Sequence, residues 1–131
     1  MDKAPLKECL LIDDDRDDQE IFLMALQMVD PQIKCSVVSS GIEGLQKLSE
    51  DISYAPYFIF LDINMHKMDG IECLRRIREL GHLNQSKIIM FSTSADVAII
   101  RQCKELGASD FLTKPTGLKP LVNSLTTILK G

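Results

Sequence analysis

The stretch Tyr57-Phe58-Ile59-Phe60-Leu61-Asp62 is an unbroken apolar run that stops at an acid. A strand wetted on one face alternates polar and apolar residues, whereas a strand covered on both faces has no need to. Residues 57–61 therefore read as a fully buried strand, with Asp62 at its carboxyl end. The same signal recurs on either side. Cys9-Leu10-Leu11-Ile12 runs into Asp13-Asp14-Asp15, and Ile88-Ile89-Met90-Phe91 runs into Ser92-Thr93-Ser94. Ile33 to Val38 places apolar groups at 33, 35 and 37, and Asp110-Phe111-Leu112-Thr113 makes a short fifth strand ahead of Lys114-Pro115.

Helical periodicity fills the intervals. Leu118, Leu121, Val122, Leu125, Ile128 and Leu129 form one stripe at a spacing of about 3.6 residues. Ile42, Leu45 and Leu48 form another, as do Ile71, Leu74 and Ile77, then Val97, Ile100 and Cys103; Asp17 to Val29 supplies a strongly apolar first helix. Ser40 with Glu43 is a capping box, and Asp69 with Glu72 opens the next helix in the same way. Gly81 and Gly107 fit the left-handed position past a helix end. Five β-α units in succession predict an α/β fold, a doubly wound parallel five-stranded sheet with helices on both faces and strand order 2-1-3-4-5.

Composition bounds the function. The chain has 131 residues, 15 basic and 19 acidic side chains and a net charge of −4. That length suits one domain, spanning residues 1–131, with no attached output domain expected. An acidic balance excludes a strongly basic nucleic-acid binder. The apolar run from Tyr54 to Leu61 falls far short of the ~20 residues that cross a bilayer, and Met1 to Pro5 lacks a signal-peptide core, so a cytoplasmic protein is expected. Cys9, Cys35, Cys73 and Cys103 show no paired spacing and read as buried free thiols.

In doubly wound sheets ligands bind beyond the carboxyl ends of the strands, where strand order reverses. In the order 2-1-3-4-5, Asp13-Asp14-Asp15, Asp62, Ser92-Thr93-Ser94 and Thr113-Lys114-Pro115 would converge on one pocket. Any one acid after a strand is ordinarily a turn or a helix cap; the coincidence of all of them at one sheet edge is what points to a site. Carboxylates crowded there would repel one another and rise in pKa unless a cation intervened. Hard oxygen donors with open water positions suit Mg²⁺.

The same segments carry a resemblance. LIDDD (11–15), FIFLDINMHKMDG (58–70), MFSTSA (90–95) and GASDFLTKP (107–115) make the chain similar, end to end, to the response-regulator receiver domains of bacterial two-component phosphorelays, in particular to stand-alone, chemotaxis-regulator-like ones. The resemblance implies a flavodoxin-like (βα)5 sandwich with Asp62 as phosphoacceptor. It implies that Asp13, Asp14, Asp62 and the backbone carbonyl of Asn64 hold Mg²⁺ or Mn²⁺. Lys114 would pair with the phosphoryl group, Ser92 and Phe111 would switch conformation, and Asn64 and Ser94 would set phosphoryl lifetime. The donor would be a histidine kinase or histidine phosphotransfer protein, the target a downstream protein, and phosphorylation could drive homodimerisation. No enzymatic activity beyond its own phosphorylation and dephosphorylation, no nucleic acid and no membrane are expected. Ser92-Thr93-Ser94 also resembles lone receivers that serve photosensory kinases.

Two departures stand out. His66 occupies the place of the family's usual Pro and is expected to be a surface loop residue, as is His82 past a helix end. Ser92 replaces the more frequent Thr but keeps the hydroxyl. Ile21 to Leu26 is more apolar than one buried stripe requires, so Leu23 and Met24 are expected to be exposed, as a docking surface for the phosphodonor. Arg75, Arg76 and Arg78 are expected on a solvated helix face. Rival readings fail on residues. A calcium loop counted from Asp13 has Asp18 where Gly belongs and Met24 where Glu belongs. A haloacid-dehalogenase-like phosphatase needs Asp where Asn64 stands, and no glycine-rich nucleotide loop is present. A receiver reduced to a docking module is the serious alternative, although every acceptor-site residue is present.

Overall fold

A computed structural model describes residues 7–93 and 96–130. The strands are β1 (Glu8–Ile12), β2 (Lys34–Val38), β3 (Phe58–Asp62), β4 (Lys87–Ser92) and β5 (Asp110–Thr113). The helices are α1 (Arg16–Val29), α2 (Gly41–Glu50), α3 (Gly70–Arg78), α4 (Val97–Glu105) and α5 (Leu118–Lys130). All strand pairs are parallel, in the order β2-β1-β3-β4-β5. Every residue of β3 is buried, but Tyr57, the first residue of the apolar run, lies outside the strand and is 39% exposed.

Alternation along the strands splits the core in two. Leu10, Ile12, Ile59, Leu61, Ile88 and Met90 face one way and pack on Leu48 of α2, on Cys73, Leu74 and Ile77 of α3 and on Cys103 of α4. Cys9, Leu11, Phe58, Phe60, Ile89 and Phe91 face the other way and meet Phe22, Ala25 and Leu26 of α1 and Leu121 and Leu125 of α5. Phe22 and Phe60 meet edge to face with centroids 4.8 Å apart, a favoured aromatic geometry. The expected caps form. Ser40 accepts from the Glu43 N–H while Glu43 accepts from the Ser39 N–H, and Asp69 accepts from the Glu72 N–H. All four cysteines are free thiols, three of them buried and Cys35 half-buried.

Three expectations are corrected. Gly107 has φ +103°, but Gly81 is not left-handed. The chain breaks instead at Leu80, and Gly81 opens a 3-10 turn, Gly81–Leu83, that plunges Leu83 into the core. Arg78 is not a solvated side chain. Its guanidinium turns inward and donates to the carbonyls of Gly107 (2.9 Å), Leu83 (3.1 Å) and Ser86 (3.1 Å), tying α3 to the turns on either side of β4. Arg75 and Arg76 do lie in solvent, paired with Glu72. His82 is half-buried, and its Nε2 lies 2.8 Å from the Leu48 carbonyl at the end of α2. An imidazole that donates there satisfies one of the carbonyls a helix end leaves open.

Candidate functional site

The parallel register lines up the strand ends. Leu61 lies beside Ile12 and Met90, and Ser92 beside Thr113, so the residues that follow each strand emerge along one rim. Asp13 is wholly buried and Asp62 nearly so, at 4% exposure, while Asp14 is half-buried beside them. One carboxylate oxygen from each of Asp13, Asp14 and Asp62 lies within 4.8 Å of the other two. Gly70 makes the close packing here possible. A Cβ at that position would collide with the Asp62 carbonyl and the Ile63 Cα, and the Gly70 N–H donates to the Ile63 carbonyl at 2.8 Å.

Each acid has its own support. Asp13 Oδ1 accepts the Asp15 N–H at 2.9 Å, and Asp13 Oδ2 accepts Lys114 Nζ at 2.9 Å. Asp14 Oδ2 accepts the His66 backbone N–H at 3.0 Å. Asp62 Oδ1 accepts the Asn64 N–H at 3.2 Å, and Asp62 Oδ2 lies 3.5 Å from Lys114 Nζ. The ammonium is thus shared, and its third partner is Asp18 Oδ2 at 2.8 Å. The Lys114 N–H in turn donates to the Ser92 carbonyl at 2.6 Å, and Asn64 Nδ2 donates to Ser92 Oγ at 3.4 Å. Ser92 is buried at 1% exposure. Phe111 is half-buried, pairs in register with Met90 and packs on the α2-α3-α4 side of the core. Asn64 is exposed at the rim. Ser94 lies outside the described residues. His66 is exposed, as expected.

Electrostatics follow from burial. Desolvation, then the neighbouring charge of Asp13, pushes the Asp62 carboxyl up to about 6 against the pull of Lys114. Desolvation raises Asp13 as well. Burial acts to lower Lys114, but the carboxylates of Asp18 and Asp13 outweigh it and hold the ammonium well above its usual value. Asp13 and Asp62, both raised, and Asp14 beside them offer hard oxygens within 4.8 Å of one another, a donor set that fits a hard divalent cation.

The strand ends bring Asp13, Asp14, Asp62, Asn64, Ser92 and Lys114 together, with Phe111 behind them on β5. Sequence reasoning missed three contributors. Asp18 was visible only as one of several acids at the start of α1, and nothing local marks it as a partner for Lys114. Gln19 donates from Nε2 to the Asp13 carbonyl at 2.6 Å and to Ser39 Oγ at 3.2 Å, bracing the rim between β1 and β2. The His66 N–H is a backbone donor, to which side-chain patterns are blind. Helix α1 also exposes apolar residues, Ile21, Leu23 and Met24, the last 54% exposed, and of these Ile21 lines the same cleft as Lys114.

Comparison with known proteins agrees with this geometry. Residues 9–126 match the family described as "Response regulator receiver domain". The chain is 31% identical over 111 residues to "Two-component response regulator ORR3" of Oryza sativa subsp. indica, covering 85% of this chain and 82% of that protein. It is 35% identical over 91 residues to a protein-glutamate methylesterase/protein-glutamine glutaminase of Methanospirillum hungatei, but spans only 26% of that protein's length. It likewise spans 44% of the probable C4-dicarboxylate response regulator DctR of Priestia megaterium. Among solved structures, the phosphorylated cyanobacterial phytochrome response regulator RcpA superposes with a TM-score of 0.86 at 25% identity, covering 95% of this chain and 92% of that one. The Mn²⁺-bound form of response regulator Rcp1 gives 0.81 at 25% identity, covering 93% and 91%. Among the described residues no helix is long and apolar enough to cross a membrane. A sheet in the order 2-1-3-4-5, acids and a lysine converging at its carboxyl rim, and a family match over residues 9–126 place this chain among the receiver domains of two-component response regulators.

Proposed function

We propose that the chain accepts a phosphoryl group on Asp62 from a phosphohistidine of a histidine kinase or histidine phosphotransfer protein. One observation carries this reading: a buried carboxylate, Asp62, lies between two further acids and an ammonium at the open end of the sheet. The acids Asp13, Asp14 and Asp62, with the Asn64 backbone carbonyl, are the ligands for Mg²⁺ or Mn²⁺, which when bound neutralises charge building on the phosphoryl oxygens. Asp62 supplies the nucleophile. An oxygen of its carboxylate forms the new O–P bond in line as the N–P bond of the donor breaks, and the electron pair of that bond leaves on the imidazole. The product is an acyl phosphate on Asp62.

Lys114 is already beside Asp62 Oδ2, so it pairs with a phosphoryl oxygen by a small movement away from Asp13 and Asp18. Ser92, at the end of the neighbouring strand, is the hydroxyl that donates to the new group. Drawing in the loop after β4 then lets half-buried Phe111 turn inward, a local charge change converted into a new surface. Asn64 and Ser94 are the positions expected to set how long the phosphoryl group survives.

The exposed apolar residues Leu23 and Met24 on α1 are proposed as the surface that receives the phosphodonor. The switched surface passes the signal to a downstream protein or, through α4 and α5, to a second copy of the chain. We read the chain as a phosphoacceptor, with no separate substrate of its own. Incubation with Mg²⁺ and a small acyl-phosphate donor, followed by intact mass measurement, tests the reading. Gain of a single phosphoryl group, lost in Asp62→Asn, is the expected result; no gain, or the same gain in the variant, overturns it.

A further inference from the structure

Strands β1 and β2 set two cysteines side by side. In the parallel register Cys9 pairs with Cys35, which puts their Cα atoms one strand spacing apart, about 4.7–4.9 Å. A disulfide spans Cα separations of about 4.4–6.8 Å. Both side chains project from the same face of the sheet and pack in the half of the core closed by α1 and α5. Cys73 and Cys103 lie in the other half. The Cβ atoms of a disulfide sit about 3.5–4.5 Å apart, so closing one here needs a small approach of the two strands. β2 is free to make it, because it is the edge of the sheet and is hydrogen-bonded to β1 alone.

The two thiols are unequally placed. Cys9 is 1% exposed, and hydrogen bonding with Cys35, then burial, push its thiol well above the ordinary value. Cys35 is half-buried and lines a cleft of about 380 Å³ with Leu23 and Leu26 of α1 and with Pro31 and Ile33. A water molecule takes about 30 Å³, so the cleft admits a small solute to the Cys35 sulfur.

We propose that Cys9 and Cys35 are a dithiol pair that closes to a cross-strand disulfide, with Cys35 reacting first and Cys9 completing the bond. The oxidant is a small-molecule disulfide of the glutathione class. The Cys35 thiolate, its proton lost to solvent, attacks one sulfur of that molecule; a mixed disulfide forms on Cys35, and one thiolate leaves and takes up a proton. The Cys9 sulfur then attacks Cys35 Sγ, the mixed bond breaks, and the Cys9 proton ends on the second leaving thiolate. Two protein thiols are oxidised by two electrons, and the small disulfide is reduced to two thiols. The new bond ties β2 to β1 near the amino ends of both strands, away from the rim that holds Asp62, and it stands independently of the phosphoacceptor reading.

The test exposes the native full chain to oxidised glutathione at pH 8, quenches it in acid, alkylates the remaining thiols in denaturant and counts them by intact mass. Of the four cysteines, two are expected to stay open to alkylation, and dithiothreitol is expected to restore all four. A non-reducing digest is expected to join the Cys9 and Cys35 peptides. Cys9→Ala is expected to stop at one glutathione on Cys35, and Cys35→Ser to keep its three thiols free. Four free thiols in oxidised wild type, a bond between any other pair, or a bond that forms only in urea overturns the inference. Loss of thiols in Cys35→Ser as complete as in wild type does the same. Wild-type protein that stops at the mixed disulfide also overturns it, because Cys9 is then out of reach.

Discussion

Asp62 is ionised at neutral pH only against the cost of its burial, and that cost is measurable. A carboxyl raised from 3.8 to about 6 binds its proton more tightly in the native chain than in the unfolded one. Between those values the native state therefore holds more protons, so stability falls as pH rises through the window and levels off above it. In chelator, Asp62→Asn is expected to stabilise the protein at pH 7 by about 1–2 kcal/mol, with the gain vanishing near pH 4. A gain that does not depend on pH, read from urea unfolding, would contradict the electrostatic cause. Lys114 offsets the same cost from the other side. Lys114→Met leaves Asp13, Asp18 and Asp62 without their common partner and is expected to destabilise by about 3–5 kcal/mol at pH 7, with partial recovery at pH 5 as Asp62 protonates. The sequence announced Asp13, Asp14 and Asp62, because they stand at the ends of strands whose apolar runs are unmistakable, and Lys114 through the short fifth strand that it follows. It did not announce Asp18, because which acid on the first turn of α1 meets a lysine on β5 is decided by packing across the sheet. Nor could it announce the His66 N–H, since every residue but proline has one.

At the scale of elements, β3 to α3 is the connection that the site depends on most. Gly70 lets α3 start against the backbone of Asp62 and Ile63, and a methyl group there has nowhere to go. Gly70→Ala is expected to cost at least about 2 kcal/mol, because the atoms it meets are backbone and cannot rotate away. Thermal unfolding that leaves the midpoint within a degree or so of wild type would contradict that contact. The far end of α3 is fixed by Arg78, whose donors satisfy the carbonyls of Gly107, Leu83 and Ser86. Helical periodicity placed Arg78 beside Arg75 and Arg76 and suggested solvent. Position in a helix does not say which neighbouring turns leave carbonyls open, and those carbonyls drew this arginine inward. Gly81 was misread for a related reason. Glycine after a helix usually marks a left-handed cap, but here Leu80 breaks the helix and the glycine opens a 3-10 turn that buries Leu83. On α1 the excess apolar run did find its explanation. Phe22, Ala25 and Leu26 fill the core while Leu23 and Met24 stay exposed. Charged substitutions at Leu23 and Met24 should slow transfer from a phosphorylated histidine donor while leaving phosphorylation by a small acyl phosphate unchanged; equal rates with the protein donor would dismiss α1 as the docking surface.

For the molecule as a whole, the parallel sheet gathers the acids that make the net charge of −4 look diffuse in the sequence. Asp13 and Asp62 are buried at one rim, Asp14 stands beside them, and Asp18 reaches them through Lys114. On the proposed reading, a cation held by this rim would bind the folded site and not the unfolded chain, and so would stabilise the native fold. Mg²⁺ is therefore expected to raise the thermal midpoint at pH 7, to do so less at pH 5, and to have little effect in Asp14→Asn. The central claim remains the covalent one, that Asp62 takes the phosphoryl group. Reductive trapping with borohydride tests it most directly, since an acyl phosphate is converted to an alcohol and marks its own position in a peptide digest. After treatment with Mg²⁺ and an acyl-phosphate donor, the mark is expected at residue 62 and at no other acid. A mark at Asp13, Asp14 or Asp18, or none at all in protein that has gained phosphate, would contradict it.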